Sequence, residues 1–182
     1  MLSIQQIDEK NYPLGKKVIF SYQSEKYFKI HSENIGHLQT FTLTEDKFEI
    51  PFIKEREEEI FEPYKEGSEV YLAQFNNEEA AIMVIQKMEW NNTLLIHDLY
   101  VNEGFKQKGI GRSLIELAKK RATELGVRAI VLETQTSNYP AIQFYLKNGF
   151  QLVGFNLISY SNEDVKNHEV RIEMGFLFEN LT

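Results

Sequence analysis

The 182-residue chain has no cysteine, which excludes disulfides, thiolate metal sites and a cysteine nucleophile. Any covalent chemistry needs another residue. Its four histidines (His31, His37, His97, His168) show no HExxH or other clustered spacing, so no metal is expected. No apolar run approaches the ~18 residues of a membrane span, and the opening MLSIQQIDEK lacks a signal-peptide apolar stretch. The expectation is a soluble, cytoplasmic protein with no membrane partner. Positive charge is in deficit, with 20 Lys and Arg against 27 Asp and Glu, net −7, which argues against general nucleic-acid binding. Proline is scarce, at four residues. No Pro/Gly-rich linker, repeat or low-complexity tract divides the sequence, and a single domain over 1–182 is expected.

Bulky core material is plentiful: 13 Phe and 9 Tyr, with 42% hydrophobic residues overall. Charge is unevenly placed. Residues 1–104 carry 10 basic and 19 acidic groups, whereas 105–128 hold seven basic residues against Glu116 and Glu124. That segment suits a polyanionic ligand or, equally simply, a solvated helix face.

Hydrophobic spacing predicts the elements. LSIQQI alternates like a short strand, and residues 18–50 carry β-favouring aromatics without clear boundaries. The acidic run EREEEIF (55–61) reads as a short solvated helix or loop. VYLAQF (70–75), AAIMVIQKMEW (80–90) and TLLIHDLYV (93–101) form an antiparallel meander joined by asparagine turns. Apolar residues from Ile110 to Leu125 follow helical spacing and end at Gly126. A buried strand follows at 128–134. Asn138 then caps a second helix ending at Gly149, and strands at 150–160 and 168–178 flank a polar loop. The fold class expected is α/β, a mixed, mostly antiparallel sheet flanked by helices.

Two motifs carry chemistry. Lys106-Gln107-Lys108-Gly109-Ile110-Gly111-Arg112-Ser113 stands between a strand and a helix. Glycines there let backbone N–H groups approach an anion at the positive end of the helix; a plain strand-to-helix turn would also account for them. Rossmann and P-loop patterns are excluded, because Leu114 replaces the third Rossmann glycine and no Gly-Lys-Ser/Thr occurs. In the second motif, helical spacing puts Ala141 and Tyr145 on the face that begins at Asn138. A small residue beside a phenol leaves room for a ligand, or marks an amphipathic core helix with a buried tyrosine.

The joint order of strand, K-x-x-G-x-G, helix, strand and N-x-x-A-I-x-F-Y-x-x-x-G-F resembles the GNAT superfamily of acetyl-CoA-dependent N-acyltransferases over residues 70–178. Lys106 stands where that family usually has Arg or Gln. WNNTLLIHDLYV (90–101), LVGFNLISYSNEDVKNHEVRIEM (152–174) and FTLTEDKFEIPFIKE (41–55) are similar to segments of streptothricin acetyltransferases. The resemblance implies a GNAT-like core at 70–178 and a substrate-side region at 1–69. It implies acetyl-CoA as cosubstrate, contacted by Leu99, Tyr100, Val101, residues 106–113, Asn138, Ala141 and Tyr145.

Without a cysteine, direct transfer in a ternary complex is the economical scheme. Leu99 and Val101 would offer N–H groups to pantetheine and the thioester carbonyl. Tyr145 would protonate the departing thiolate, and Glu133 would act as base, with Asp98 the other candidate base. Asp98, Glu89 and Trp90 are otherwise expected to bind the substrate ammonium from one strand turn. The acceptor implied is a small-molecule amine, the β-lysine moiety of streptothricin. A polyamine, an aminoglycoside, a protein N-terminus or a non-catalytic acetyl-CoA-binding module are the alternatives, and a homodimer is left open.

Overall fold

The computed structural model describes residues 1–178. The chain folds as β1 (Leu2–Ile7), β2 (Lys17–Ile35), β3 (Leu38–Glu59), β4 (Glu69–Phe75), β5 (Glu78–Met88), β6 (Thr93–Val101), α1 (Ile110–Glu124), β7 (Ala129–Gln135), α2 (Tyr139–Lys147), β8 (Gln151–Asn156) and β9 (Arg171–Leu177). It divides into two compact units interleaved along the sequence. One comprises residues 1–20, 56–132 and the segment from Gly175 on; the other comprises 21–55 and 133–174. The boundaries fall inside β2, β3, β7 and β9.

In the first unit the strands run in the order β1-β4-β5-β6-β7. Each neighbouring pair from β1 to β6 is antiparallel, whereas β6 and β7 are parallel. Connection length explains the difference. Asn76 and Asn77, both at positive φ, make a two-residue turn from β4 to β5, whereas parallel β7 needs a crossover, supplied by α1. One face of α1 buries Ile110, Leu114, Ile115, Ala118 and Ala122. The helix stops at Gly126 (φ 65°), where the N–H groups of Gly126 and Val127 bond the carbonyls of Thr123 and Ala122 at 3.1 Å. This paired C-terminal cap requires a left-handed residue. A second apolar cluster joins Ile60, Val70, Ile82 and Val84, with Phe20 and Tyr100 against it.

The acidic run is corrected by the structure: β3 continues as a strand to Glu59. The acidic charges find partners across the ribbon that no local pattern reveals. Lys17 pairs with Glu57 at 2.6 Å, and the Lys16 N–H bonds Glu59 Oε1 at 2.7 Å.

The second unit holds most of the β2–β3 ribbon, α2, and strands in the order β7-β9-β8. Asn138 caps α2 as expected, its side chain accepting from the Ala141 N–H. The two C-terminal strands are shorter than expected: β8 ends where Asn156 Oδ1 accepts from Ile158 N–H at 3.0 Å in a turn, and β9 begins only at Arg171.

Candidate active site

In the first unit the site is built on the end of β6. Val84 pairs with Asp98 but Ile85 pairs with Ile96, so His97 is an extra residue in β6, a bulge of the kind that re-aims a strand. Parallel pairing with β7 covers Thr93–Ile96, while β6 runs on to Val101. The Asn102 N–H bonds Ala80 O at 2.8 Å. Strand alternation then turns the N–H groups of Asp98 and Tyr100 toward β5, and those of Leu99 and Val101 toward the opposite edge. Leu99 and Val101 thus carry the N–H groups on that side of the end of β6.

That edge leads into the glycine segment. Gly109 precedes α1 at φ 80°, and a Cβ there would meet no atom within 4 Å. The first α1 bond runs from Ser113 N–H to Gly109 O at 3.0 Å, and Ser113 Oγ bonds the same carbonyl at 3.3 Å. The N–H groups of Ile110, Gly111 and Arg112 are the ones a helix start leaves for an anion. Two cations of the segment are held by neighbours. Lys106 pairs with Glu103, and Lys108 Nζ bonds Gly104 O at 2.9 Å beneath the Phe105 ring. Gln107, at positive φ, forms the turn between them.

The expected amine-binding trio does not assemble. Asp98 is 5% exposed, and its Oδ2 receives the Lys65 ammonium at 2.7 Å. Burial works against the charge on Lys65, but the Asp98 hydrogen bond and charge outweigh it and the lysine pKa is raised. Glu89 and Trp90 lie at the other end of β6, in the β5–β6 turn. Trp90 is 82% exposed and Glu89 pairs with Lys87. Asn92 there bonds Gly126 O and Arg128 N–H, at the C-terminal end of α1. At about 3.3 Å per residue, β6 separates this turn from Val101 by roughly 26 Å. The strand turn that seemed to gather the three instead holds them apart.

The second unit holds the remaining expected residues. Tyr145 is 7% exposed on α2, its ring edge-on to Phe144 and Phe150 at 5.3 and 5.6 Å. Ala141 is half-buried one turn earlier. Ahead of Asn138, Thr136 joins Val170 and His168 through three hydrogen bonds of 2.6–3.1 Å, and Ser137 Oγ lies 2.8 Å from the Tyr22 hydroxyl. Glu133 lies near the end of β7 with its side chain 40% exposed, Oε2 paired with Arg171 Nη1 at 2.7 Å. Its Oε1 accepts a long bond of 3.4 Å from the Tyr160 hydroxyl. Lys65, Tyr160 and Arg171 escaped the sequence reading, because each partnership spans 27 to 38 residues without periodicity. Among the described residues no group of three or more His, Cys, Asp or Glu side chains is arranged to hold a metal, and no helix is long and apolar enough to cross a membrane.

Known proteins match this arrangement. The model of the Acetyltransferase (GNAT) family matches residues 37–150. The streptothricin acetyltransferase of Escherichia coli is 27% identical over 163 residues, covering 90% of this chain and 84% of that protein. Streptothricin acetyltransferase A of Bacillus subtilis (strain 168) is 30% identical over 130 residues, 70% of this chain and 75% of that protein. The crystal structure of nourseothricin acetyltransferase superposes with a TM-score of 0.78 at 24% identity, over 98% of this chain and 99% of that one. The mixed sheet, the β6 edge and the glycine-led helix thus occur in a chain that belongs to the GNAT family, as an acetyl-CoA-dependent N-acetyltransferase.

Proposed function

We propose that the chain transfers the acetyl group of acetyl-CoA directly to a primary amine of a small cationic acceptor, with the β-lysine moiety of a streptothricin as the leading candidate. The reaction rests above all on the outward row of Leu99 and Val101 N–H groups leading into the left-handed Gly109 and the start of α1. That row suits a thioester carbonyl as it becomes an oxyanion, and the helix start suits the pyrophosphate. The acceptor class rests on the names of the relatives that match across most of the chain.

The roles proposed for the side chains follow from what each can donate or accept. Glu133 takes a proton from the acceptor ammonium, and the neutral amine attacks the thioester carbon. As the tetrahedral adduct collapses, the carbon–sulfur bond breaks, the coenzyme A thiolate takes the Tyr145 proton, and the surplus proton on the acceptor nitrogen leaves to restore the phenol. Asp98, already neutralised by Lys65, holds the strand bearing Leu99 and Val101 rather than the acceptor. Thiol release from acetyl-CoA across a panel of amines tests the reaction. Release that depends on a cationic amine is expected; tight acetyl-CoA binding with no release on any amine would leave only a binding module.

A further inference from the structure

We propose that Tyr160 is a positioning residue for the base: a turn organised by buried Asp164 sets the Tyr160 hydroxyl between Gln135 and Glu133, leaving Glu133 Oε1 as the oxygen that takes the substrate proton. The inference rests on the reading of Glu133 as base and extends it to the loop between β8 and β9. Asp164 is 2% exposed. Its Oδ2 accepts from the Tyr160 N–H at 2.9 Å and its Oδ1 from Ser161 Oγ at 2.7 Å. Burial opposes the charge of Asp164, but these donors outweigh it and hold the carboxyl below its ordinary value.

The turn therefore has a fixed anionic centre, and Tyr160 leaves it in a defined direction. Gln135 Nε2 donates to the Tyr160 oxygen at 3.0 Å. That oxygen is used as an acceptor, so its own proton is directed to Glu133 Oε1, 3.4 Å away. Burial pushes the Tyr160 phenol up, which keeps it a donor at neutral pH.

The two oxygens of Glu133 are thus held unequally. Oε2 is pinned by Arg171 at 2.7 Å, and Arg171 also pairs with Glu173 at 3.1 Å. Among the described residues Oε1 has only the long phenol bond of 3.4 Å, which is weak at that distance and readily exchanged for an ammonium N–H. Tyr160 keeps Oε1 aimed while the site is empty and gives way when the acceptor arrives.

A double-mutant cycle on acetyl transfer tests this. Tyr160→Phe is expected to lower kcat by roughly two- to fivefold, the low end for one hydrogen bond, with acceptor KM and melting temperature little changed. In the Glu133→Gln background the same substitution should cost nothing further. Asp164→Asn provides a second probe, expected to lower kcat in the wild type and not in Tyr160→Phe. An equal loss from Tyr160→Phe in both backgrounds, or none in the wild type, would overturn the inference. Wild-type turnover in Glu133→Gln would instead remove the base reading itself, a distinguishable result.

Discussion

Removing one member of the Lys65–Asp98 pair leaves the other charge buried at a site where Lys65 is 3% exposed. Such losses cost about 3–5 kcal/mol. Lys65→Met and Asp98→Asn are therefore expected to lower stability in urea titrations, with Lys65→Met/Asp98→Leu recovering much of it. An Asp98→Asn variant of normal stability but raised acceptor KM would return Asp98 to substrate binding. Tyr145→Phe separates chemistry from packing. The ring keeps its contacts with Phe144 and Phe150 and loses its transferable proton. Turnover should fall roughly 10²–10⁴-fold with acetyl-CoA affinity retained. Near-normal single-turnover rates in the folded variant would remove Tyr145 from the mechanism.

At the scale of elements, the glycine before α1 bears most on cofactor binding. A Cβ at Gly109 would meet no atom within 4 Å, so backbone strain, roughly 1–2 kcal/mol, is the main cost to the fold. Gly109→Val should therefore weaken acetyl-CoA binding far more than it lowers the melting temperature; unchanged affinity by calorimetry would reject the pyrophosphate assignment. A different contact ties β4 to α1. Arg121 grips Glu69 with two bonds of 2.7 and 2.9 Å, and Tyr71 donates to the same carboxylate. Burial, and then Glu69, push Tyr71 up to about 12. The folded state thus holds this proton more tightly than the unfolded chain, whose tyrosines titrate near 10. The contribution is intact below about pH 10 and is lost between about pH 10 and 12, by up to ~1.4 kcal/mol per pH unit. Urea titrations across that range should show a shallower decline in Tyr71→Phe than in the wild type.

The elements legible in advance were those with local signatures: the helical stripe ending at Gly126, the Asn138 cap, and the asparagine turn from β4 to β5. The β3 extension was not legible, since an acidic run becomes a strand only once Lys16 and Lys17 lie opposite it. The site followed the same division. Its glycines and Tyr145 carry motif spacing. Lys65, Tyr160 and Arg171 are defined by tertiary partners, and the separation of Trp90 from Asp98 emerges only when the β5–β6 register is known.

For the whole molecule, two interleaved units share a chain of net charge −7. The first presents donors and a helix start suited to an anionic cofactor; the second presents Glu133 and Tyr145. An acidic protein favours encounter with a cationic acceptor, an attraction screened by salt. Mass spectrometry after incubation with acetyl-CoA and an equimolar mixture of a streptothricin, a polyamine and an aminoglycoside tests the central claim most directly. One acetyl group on the streptothricin, located by fragmentation on a β-lysine amine, is the result predicted. Acetylation confined to another amine would contradict the acceptor assignment, and an unmodified mixture in the presence of a folded, acetyl-CoA-binding protein would contradict acetyl transfer to this amine class.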